Sequence, residues 1–429
     1  MLALISSSVW NFMLFPVILS GIFLSFRFGF FQLRPKTILK FTKESLKDKN
    51  LRRTTFTTLA ATMGTGNITG VAAALSVGGA GALFWMWVSS FFGMGLAFAE
   101  NFIAIRRGNA MKILSESVKL KPLSYIFAVF CVLSSFGIGN MAQSASGVSA
   151  ISSTFSLNPL IIASLTAIVC FLVIIGGMKS VGSVAEKLVP ILSSLYILMS
   201  ILVIVKNFRA IPDVLGDIFS SALGLREAVG GMVGVSVKTA VVTGLSRGVF
   251  SNEAGMGSMG IVHSASGDTN PFRQGAMGIA EVFIDTVLCC SLTAFAILTT
   301  SSDYIGRNPT DLVISAFSSV LGKSSGGFIA VGIYLFAIAT IIGWEVIGET
   351  AFVFLFGERS KIYYKYIYIV FILIGATISL ENVFYIADIF NALMAVPNIV
   401  ALCHVTTEGG EPPLAYRHEV YQGNKFIAR

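Results

Sequence analysis

Apolar stretches separated by short polar or basic connectors run from one end of the chain to the other. A membrane-crossing helix needs about 20 mostly apolar residues, and eleven stretches come close to or exceed that length: 9–29, 56–78, 80–105, 122–154, 158–176, 188–205, 229–262, 275–300, 325–356, 366–381 and 383–404. They differ in character. The stretch at 229–262 would be about 51 Å long as one helix at 1.5 Å per residue, and Gly230, Gly231, Gly234, Gly244, Gly248, Gly255, Gly257 and Gly260 fall within it. A break near Gly244–Gly257 is expected. The second stretch has the same character, with Gly64, Gly66 and Gly70 around Asn67. Non-helical backbone at membrane depth survives only where it is buried in protein or lines a polar cavity.

Setting the first stretch aside, ten remain, and each group of five starts with a glycine-broken segment. Two five-span halves must insert with opposite orientation, which is an inverted-topology repeat; interrupted helices at matching positions mark a transport site near the bilayer midplane. The alternative for either segment alone is close helix packing by glycine.

Composition agrees with a lipid setting. Of 429 residues, 55% are hydrophobic and 12% charged, where soluble chains carry about 25% charged residues. The net charge of +8 points to nucleic acid only until its location is known. With an outside N-terminus, 22 basic residues fall on one side, beginning with Arg34, Lys36, Lys40, Lys43, Lys47, Lys49, Arg52 and Arg53. This group includes Lys179, Lys187 and the tail residues Arg417, Lys425 and Arg429, against Lys206, Arg209, Arg226, Arg307 and Lys323 on the other side. The positive-inside rule makes the first side cytoplasmic. The expected architecture is all-α and integral to the inner membrane, with the N-terminus outside and the C-terminus in the cytoplasm. Its parts are an N-terminal helix and basic loop (1–55), a first repeat (56–205), a second repeat (229–404) and a polar cytoplasmic tail (405–429). The five cysteines lie in apolar stretches without metal-ligand spacing and are expected to be packing residues.

Candidate chemistry gathers at the breaks. Around Thr65, Gly66 and Asn67, unwinding frees backbone N–H groups at the start of a half-helix, which suits a carboxylate; Asn67 serves either a ligand or a neighbouring helix. In the second break, from Arg247 to Ser258, freed carbonyls suit an ammonium group. Arg247 and Glu253 are ionisable at membrane depth, either as a pair closing the cytoplasmic side or as ligand contacts. Thr340 and Trp344, four residues apart, share a helix face. Gln143 and Asp285 are buried polar candidates, for a site or for helix-to-helix bonding. HExxH and Walker A patterns do not occur, so an enzyme is not expected and transport would run on an ion gradient.

These motifs resemble one known family. GTGNITGVAAALSVGGAGALFWMW (Gly64–Trp87), GMGLAFAE (Gly93–Glu100), RGVFSNEAGMGS (Arg247–Ser258), FIDT (Phe283–Thr286), GWEVIGE (Gly343–Glu349) and MAVPN (Met394–Asn398) are similar to those of the alanine/glycine:cation symporters, also called sodium:alanine symporters. The resemblance implies a LeuT-type fold of two inverted five-helix repeats after one extra helix. It implies symport of alanine, glycine or a similar small amino acid with Na+ or H+ and no organic cofactor. It implies that Thr65, Gly66 and Asn67 hold the substrate carboxylate, that Gln143, Phe250, Thr340 and Trp344 line the pocket, and that sodium sits near Ala60, Met63 and Thr340. The chain departs from the pattern in four places. Ala339 stands where the family has a threonine before Thr340, Ala80 interrupts the usual GGPGA, the stretch after Glu100 is shortened, and the chain turns polar after Ala401. Proton coupling, another small solute, or a membrane protein that no longer transports are the competing readings.

Overall fold

The structure, a computed structural model, describes residues 2–224, 236–301 and 303–408. Its described elements are helices, which in lipid is the arrangement that satisfies each backbone group within its own segment. The first is α1 (Leu2–Arg27). The basic stretch after it is helical too: α2 (Pro35–Lys47) and α3 (Lys49–Thr62) are separated by Asp48, whose carboxylate accepts the N–H groups of Asn50 and Leu51 and caps α3. After the first break and a wide π-type turn over Gly66–Gly70 comes α4 (Val71–Gly78), then α5 (Gly81–Arg107) and α6 (Ala110–Glu116). Helices α7 (Lys121–Phe136) and α8 (Ala142–Phe155) continue one another through a second π turn, Gly137–Met141. Next are α9 (Pro159–Ile174), α10 (Gly177–Lys206) and α11 (Ile211–Ala222).

The second break separates α12 (Val237–Asn252) from α13 (Ser258–Ser264). A third π stretch, Phe283–Cys290, joins α14 (Pro271–Val282) to α15 (Ser291–Leu298). The chain continues with α16 (Pro309–Leu321), α17 (Lys323–Phe356), α18 (Lys361–Thr377) and α19 (Leu380–Glu408). Seven helices among the described residues are long and apolar enough to cross a membrane: Leu4–Arg27, Gly81–Arg107, Lys121–Phe155, Gly177–Lys206, Pro271–Leu298, Lys323–Phe356 and Leu380–Thr407. The other four apolar stretches are the two broken ones and the shorter α9 and α18.

Two long helices organise the interior. Helix α5 packs against α1, α12, α13 and α14, and α17 packs against α3, α7, α8 and α10, so the broken segments α3–α4 and α12–α13 lie between them. Close approach depends on glycine: a Cβ on Gly343 of α17 would stand 2.8 Å from the Ala61 backbone nitrogen of α3. That absence of a side chain brings Thr340 beside the first break.

Two sequence expectations shift. The span expected at 188–205 begins at Gly177, because Glu186 inside α10 is neutralised by Arg52 Nε at 2.6 Å and Arg53 Nε at 3.0 Å; Lys179 and Lys187 are therefore helical rather than loop residues. The polar turn after Ala401 does not end the last helix, which runs to Glu408. Thr406 and Thr407 return their hydroxyls to backbone carbonyls one turn back, and Arg27 Nη2 donates to the Thr406 carbonyl at 2.9 Å. Gly230, Gly231, Gly234, Arg226 and the tail from 409 onward lie outside the described residues.

Replacing Gly343 by Ala is expected to destabilise the protein by about 1–3 kcal/mol through overpacking, read as a lower melting temperature of the detergent-solubilised chain. Gly332→Ala, on the same helix with nothing within 4 Å of its added Cβ, is expected to leave the melting temperature unchanged or slightly raised.

Candidate functional site at the two helix breaks

The first break is held by its own carbonyl and by a side chain from across the bundle. The Thr65 carbonyl accepts the N–H groups of Ile68, Thr69 and Gly70 at 3.3, 2.8 and 3.0 Å and the Thr69 hydroxyl at 2.9 Å. One oxygen thus gathers the donors that the wide turn would otherwise orphan. The Thr65 N–H and hydroxyl both donate to Gln143 Oε1 at 3.0 Å, and the Gln143 amide is oriented by its own donation to the Ile138 carbonyl at 3.0 Å. Thr340 arrives from α17 and donates its hydroxyl to the Ala60 carbonyl at 2.8 Å. Gly64 has no room for a side chain, since a Cβ there would stand 2.8 Å from Gln143 Oε1 and closer still to Thr340 Oγ1. Ala60, Thr65, Gln143 and Thr340 are buried together.

Asp285 joins the first break to the second. Its Oδ1 accepts Asn67 Nδ2 at 3.0 Å, and its Oδ2 accepts the hydroxyls of Ser251 at 2.6 Å and Thr286 at 2.9 Å. Thr293 donates to the Asn67 carbonyl at 2.7 Å, and Asn252 Nδ2 donates to Thr286 Oγ1 at 3.1 Å. Asp285 is fully buried, so these neutral donors supply what water would. The π turn over Phe283–Cys290 carries Asp285 and Thr286, and such wide turns recur at functional positions.

The second break is built on positive φ angles at Glu253 (55°), Gly255 (82°) and Gly257 (90°), a region that side chains with a Cβ rarely adopt. Glu100 of α5 clasps it: Oε2 accepts Gly257 N–H at 3.1 Å and Oε1 accepts Gly260 N–H at 2.7 Å. Asn398 of α19 donates to Glu100 Oε2 at 3.1 Å and to the Gly255 carbonyl at 2.9 Å. Trp344 Nε1 donates to Glu253 Oε1 at 2.7 Å, and Gly139 opposite is bare because a Cβ would meet Trp344 Cγ at 2.5 Å.

Arg247 and Glu253 do not form the pair that the sequence allowed. Helix α12 ends at Asn252 and Glu253 lies beyond it with a positive φ of 55°, so the two side chains do not share a helix face. Arg247 instead meets Asp388 of α19, with Nη2 2.6 Å from Oδ2 and Nη1 3.3 Å from Oδ1, a two-pronged contact. Its guanidinium also lies over the rings of Phe250 at 5.0 Å and Phe384 at 5.6 Å.

Of the expected site residues, Thr65 with Gln143 and Thr340 with Ala60 form two hydrogen-bonded pairs that meet around Gly64. Gly66 faces Phe250 and Ser251, which a Cβ on it would meet at 3.8 and 3.5 Å. Asn67 is turned to Asp285 and Trp344 to Glu253, while the Met63 sulfur lies 3.9 Å from Ser193 Oγ. Glu100, Thr286 and Asn398 had no role assigned from sequence although all three fall inside the quoted motifs. Asp388 had no signal beyond being ionisable in an apolar stretch.

Two divided helices whose freed backbone is held by buried side chains, set within a sheath of apolar spans, define a multi-pass membrane transporter rather than an enzyme. The sequence matches the sodium:alanine symporter family over residues 1–426, and the chain belongs to that family of amino-acid symporters. It is 37% identical to the sodium/alanine symporter AgcS of Methanococcus maripaludis over 93% of this chain and 92% of that protein. It is 32% identical to the amino-acid carrier protein AlsT of Bacillus subtilis over 92% of this chain and 87% of that protein. Among solved structures, MhsT in complex with L-phenylalanine superposes with a TM-score of 0.61 at 14% identity, covering 85% of this chain and 90% of that one. A Na+-coupled sialic acid symporter gives 0.51 at 14% identity, covering 94% and 83%. These two likenesses establish a shared LeuT-type transporter fold.

Asp285→Asn keeps the shape but replaces an acceptor oxygen by a donor facing Asn67 or Ser251. A buried hydrogen bond to a charged group left unmade costs about 1–3 kcal/mol, so amino-acid uptake by reconstituted protein is expected to fall about tenfold or more. Asp285→Glu, which keeps the acceptors but lengthens the reach, is expected to retain more activity than Asn.

Proposed function

We propose that this protein imports alanine, glycine or an amino acid of similar size together with sodium. The arrangement would be eleven spans, comprising one extra helix and two inverted repeats of five. The observation that carries the reading is the meeting of both broken helices with α8, α14–α15 and α17 around buried Thr65, Gln143, Asp285 and Thr340. In this reading Thr65, Gly66 and Asn67 receive the substrate carboxylate, because unwound N–H groups at the start of a half-helix favour an anion. Gln143, Phe250, Thr340 and Trp344 then wall the pocket, and the buried Trp344 ring limits the cargo to a small side chain. The names of the relatives span sodium/alanine, probable sodium/glutamine and putative sodium/proton-dependent alanine carriers; the bulk of the buried Trp344 ring favours alanine.

Sodium would bind as a co-transported ion between the Ala60 and Met63 carbonyls and the Thr340 hydroxyl. The Thr340–Ala60 contact supports this, since the hydroxyl needs only to turn its hydrogen away for both oxygens to face one cation. Ala339 adds no hydroxyl and packs with Ala60, Met63 and Val189, so proton coupling is the second reading.

Loop charge supports an outside N-terminus, a cytoplasmic C-terminus and the inner membrane. In that orientation α12 descends from outside, which puts the Arg247–Asp388 pair and the Phe250 and Phe384 rings above the pocket as its outer cover.

The test is uptake of labelled alanine into proteoliposomes under an imposed sodium gradient, a proton gradient, or neither. Sodium-dependent accumulation that glycine competes for, and that falls tenfold or more in Asn67→Ala and Thr340→Ala, is expected. Accumulation under the proton gradient alone would replace sodium by H+ in this reading. No gradient-dependent uptake of any small amino acid would refute it.

A further inference from the structure

Directly after Trp344, α17 carries two carboxylic acids one helical turn apart, Glu345 and Glu349, on the same face. Glu345 is 1% exposed and the Glu349 side chain 20% exposed. One ammonium group reaches them. Lys365 of α18 places Nζ 3.2 Å from Glu349 Oε2 and 4.0 Å from Glu345 Oε1, and already donates to the Ile174 carbonyl at the end of α9 at 2.8 Å.

The other titratable groups nearby are Tyr364 and Tyr368 on α18, Cys131 on α7 and Lys361 at the start of α18. Tyr364 shares a 2.9 Å hydrogen bond with Ser135 and Tyr368 donates to the Ile341 carbonyl at 2.9 Å, while Lys361 is paired with Glu358 at 2.7 Å. Tyrosines and a thiol carry no charge at neutral pH, and Lys361 is already paired, so two carboxyls share the Lys365 charge. Four residues apart on one helix, they stand on the same face of α17, where each feels the other's charge. As carboxylates they leave Glu345 Oε1 buried without a hydrogen bond, with Lys365 Nζ 4.0 Å away. A single proton removes the repulsion, supplies the missing donor and leaves one negative charge to match Lys365.

We propose that Glu345 and Glu349 together bind one proton at a site on α17 distinct from the amino-acid and sodium positions. Because Glu349 is the more exposed member, it is the one through which the proton exchanges. Helix α17 also carries Thr340 and Trp344, which touch the two breaks, so loss of the proton alters the hold of Lys365 on the helix that walls the pocket. That consequence rests on the transport reading above, whereas proton binding itself does not.

The test has two arms on the full-length chain. In lipid nanodiscs, infrared difference spectra of wild type against Glu345→Gln and Glu349→Gln are expected to show the C=O stretch of one protonated carboxyl in the wild type that each variant loses. The two variants are independent, so either one that folds suffices. Identical carboxyl bands in wild type and in every folded variant would overturn the proposal. In proteoliposomes, substrate uptake by the wild type is expected to change with the pH on the Glu349 side, and the dependence is expected to flatten in the variants. An unchanged pH profile in the variants would overturn the link between this proton and transport. A wild type that takes up no amino acid would sink the transport reading instead, leaving the infrared result to decide the proton site.

Discussion

A helix interrupted in lipid must find partners for the backbone groups it frees, and the rest of this structure is arranged around that requirement. Each unsatisfied N–H or C=O in hydrocarbon costs several kcal/mol. The first break meets the demand with the Thr65 carbonyl and Gln143, the second with Glu100 and Asn398. These partners come from α5, α8 and α19, so three otherwise apolar helices are fixed in place by the polar needs of two others. Asp285 then joins the breaks by taking a side-chain donor from each. The glycines at 64, 139 and 343 are the steric counterpart, since each stands where a Cβ would keep a partner out of reach.

Much of this was legible in the chain. Length and apolarity marked the seven long spans, and the glycine clusters located both breaks, which the structure places at Met63–Thr65 and Glu253–Gly257. Ends of helices were harder to read where charge lies inside them. Hydropathy falls at Glu186 and Lys187, yet α10 continues because Arg52 and Arg53 neutralise the glutamate from another helix. A pairing partner more than a hundred residues away leaves no local trace.

The same reason separates the residues that were assigned correctly to a neighbourhood from those whose partners were not foreseen. Thr65, Gln143 and Thr340 do gather around Gly64. Arg247 and Glu253, close in sequence and opposite in charge, invited a pairing that does not form because α12 ends between them, and their true partners, Asp388 and Trp344, come from other helices. Glu100 read as the end of a motif; only the fold shows that it receives the backbone of the second break.

Helix α17 holds both breaks at once, the first through Thr340 on Ala60 and the second through Trp344 on Glu253. Four residues of rigid helix separate these two grips. Thermodynamic reciprocity then applies: an ion that displaces the Thr340 contact and changes the affinity of a second ligand near Glu253 must have its own affinity changed by the same factor. In the transport reading proposed above, cooperativity between cargo and coupling ion would be a property of one lever, measurable from either end.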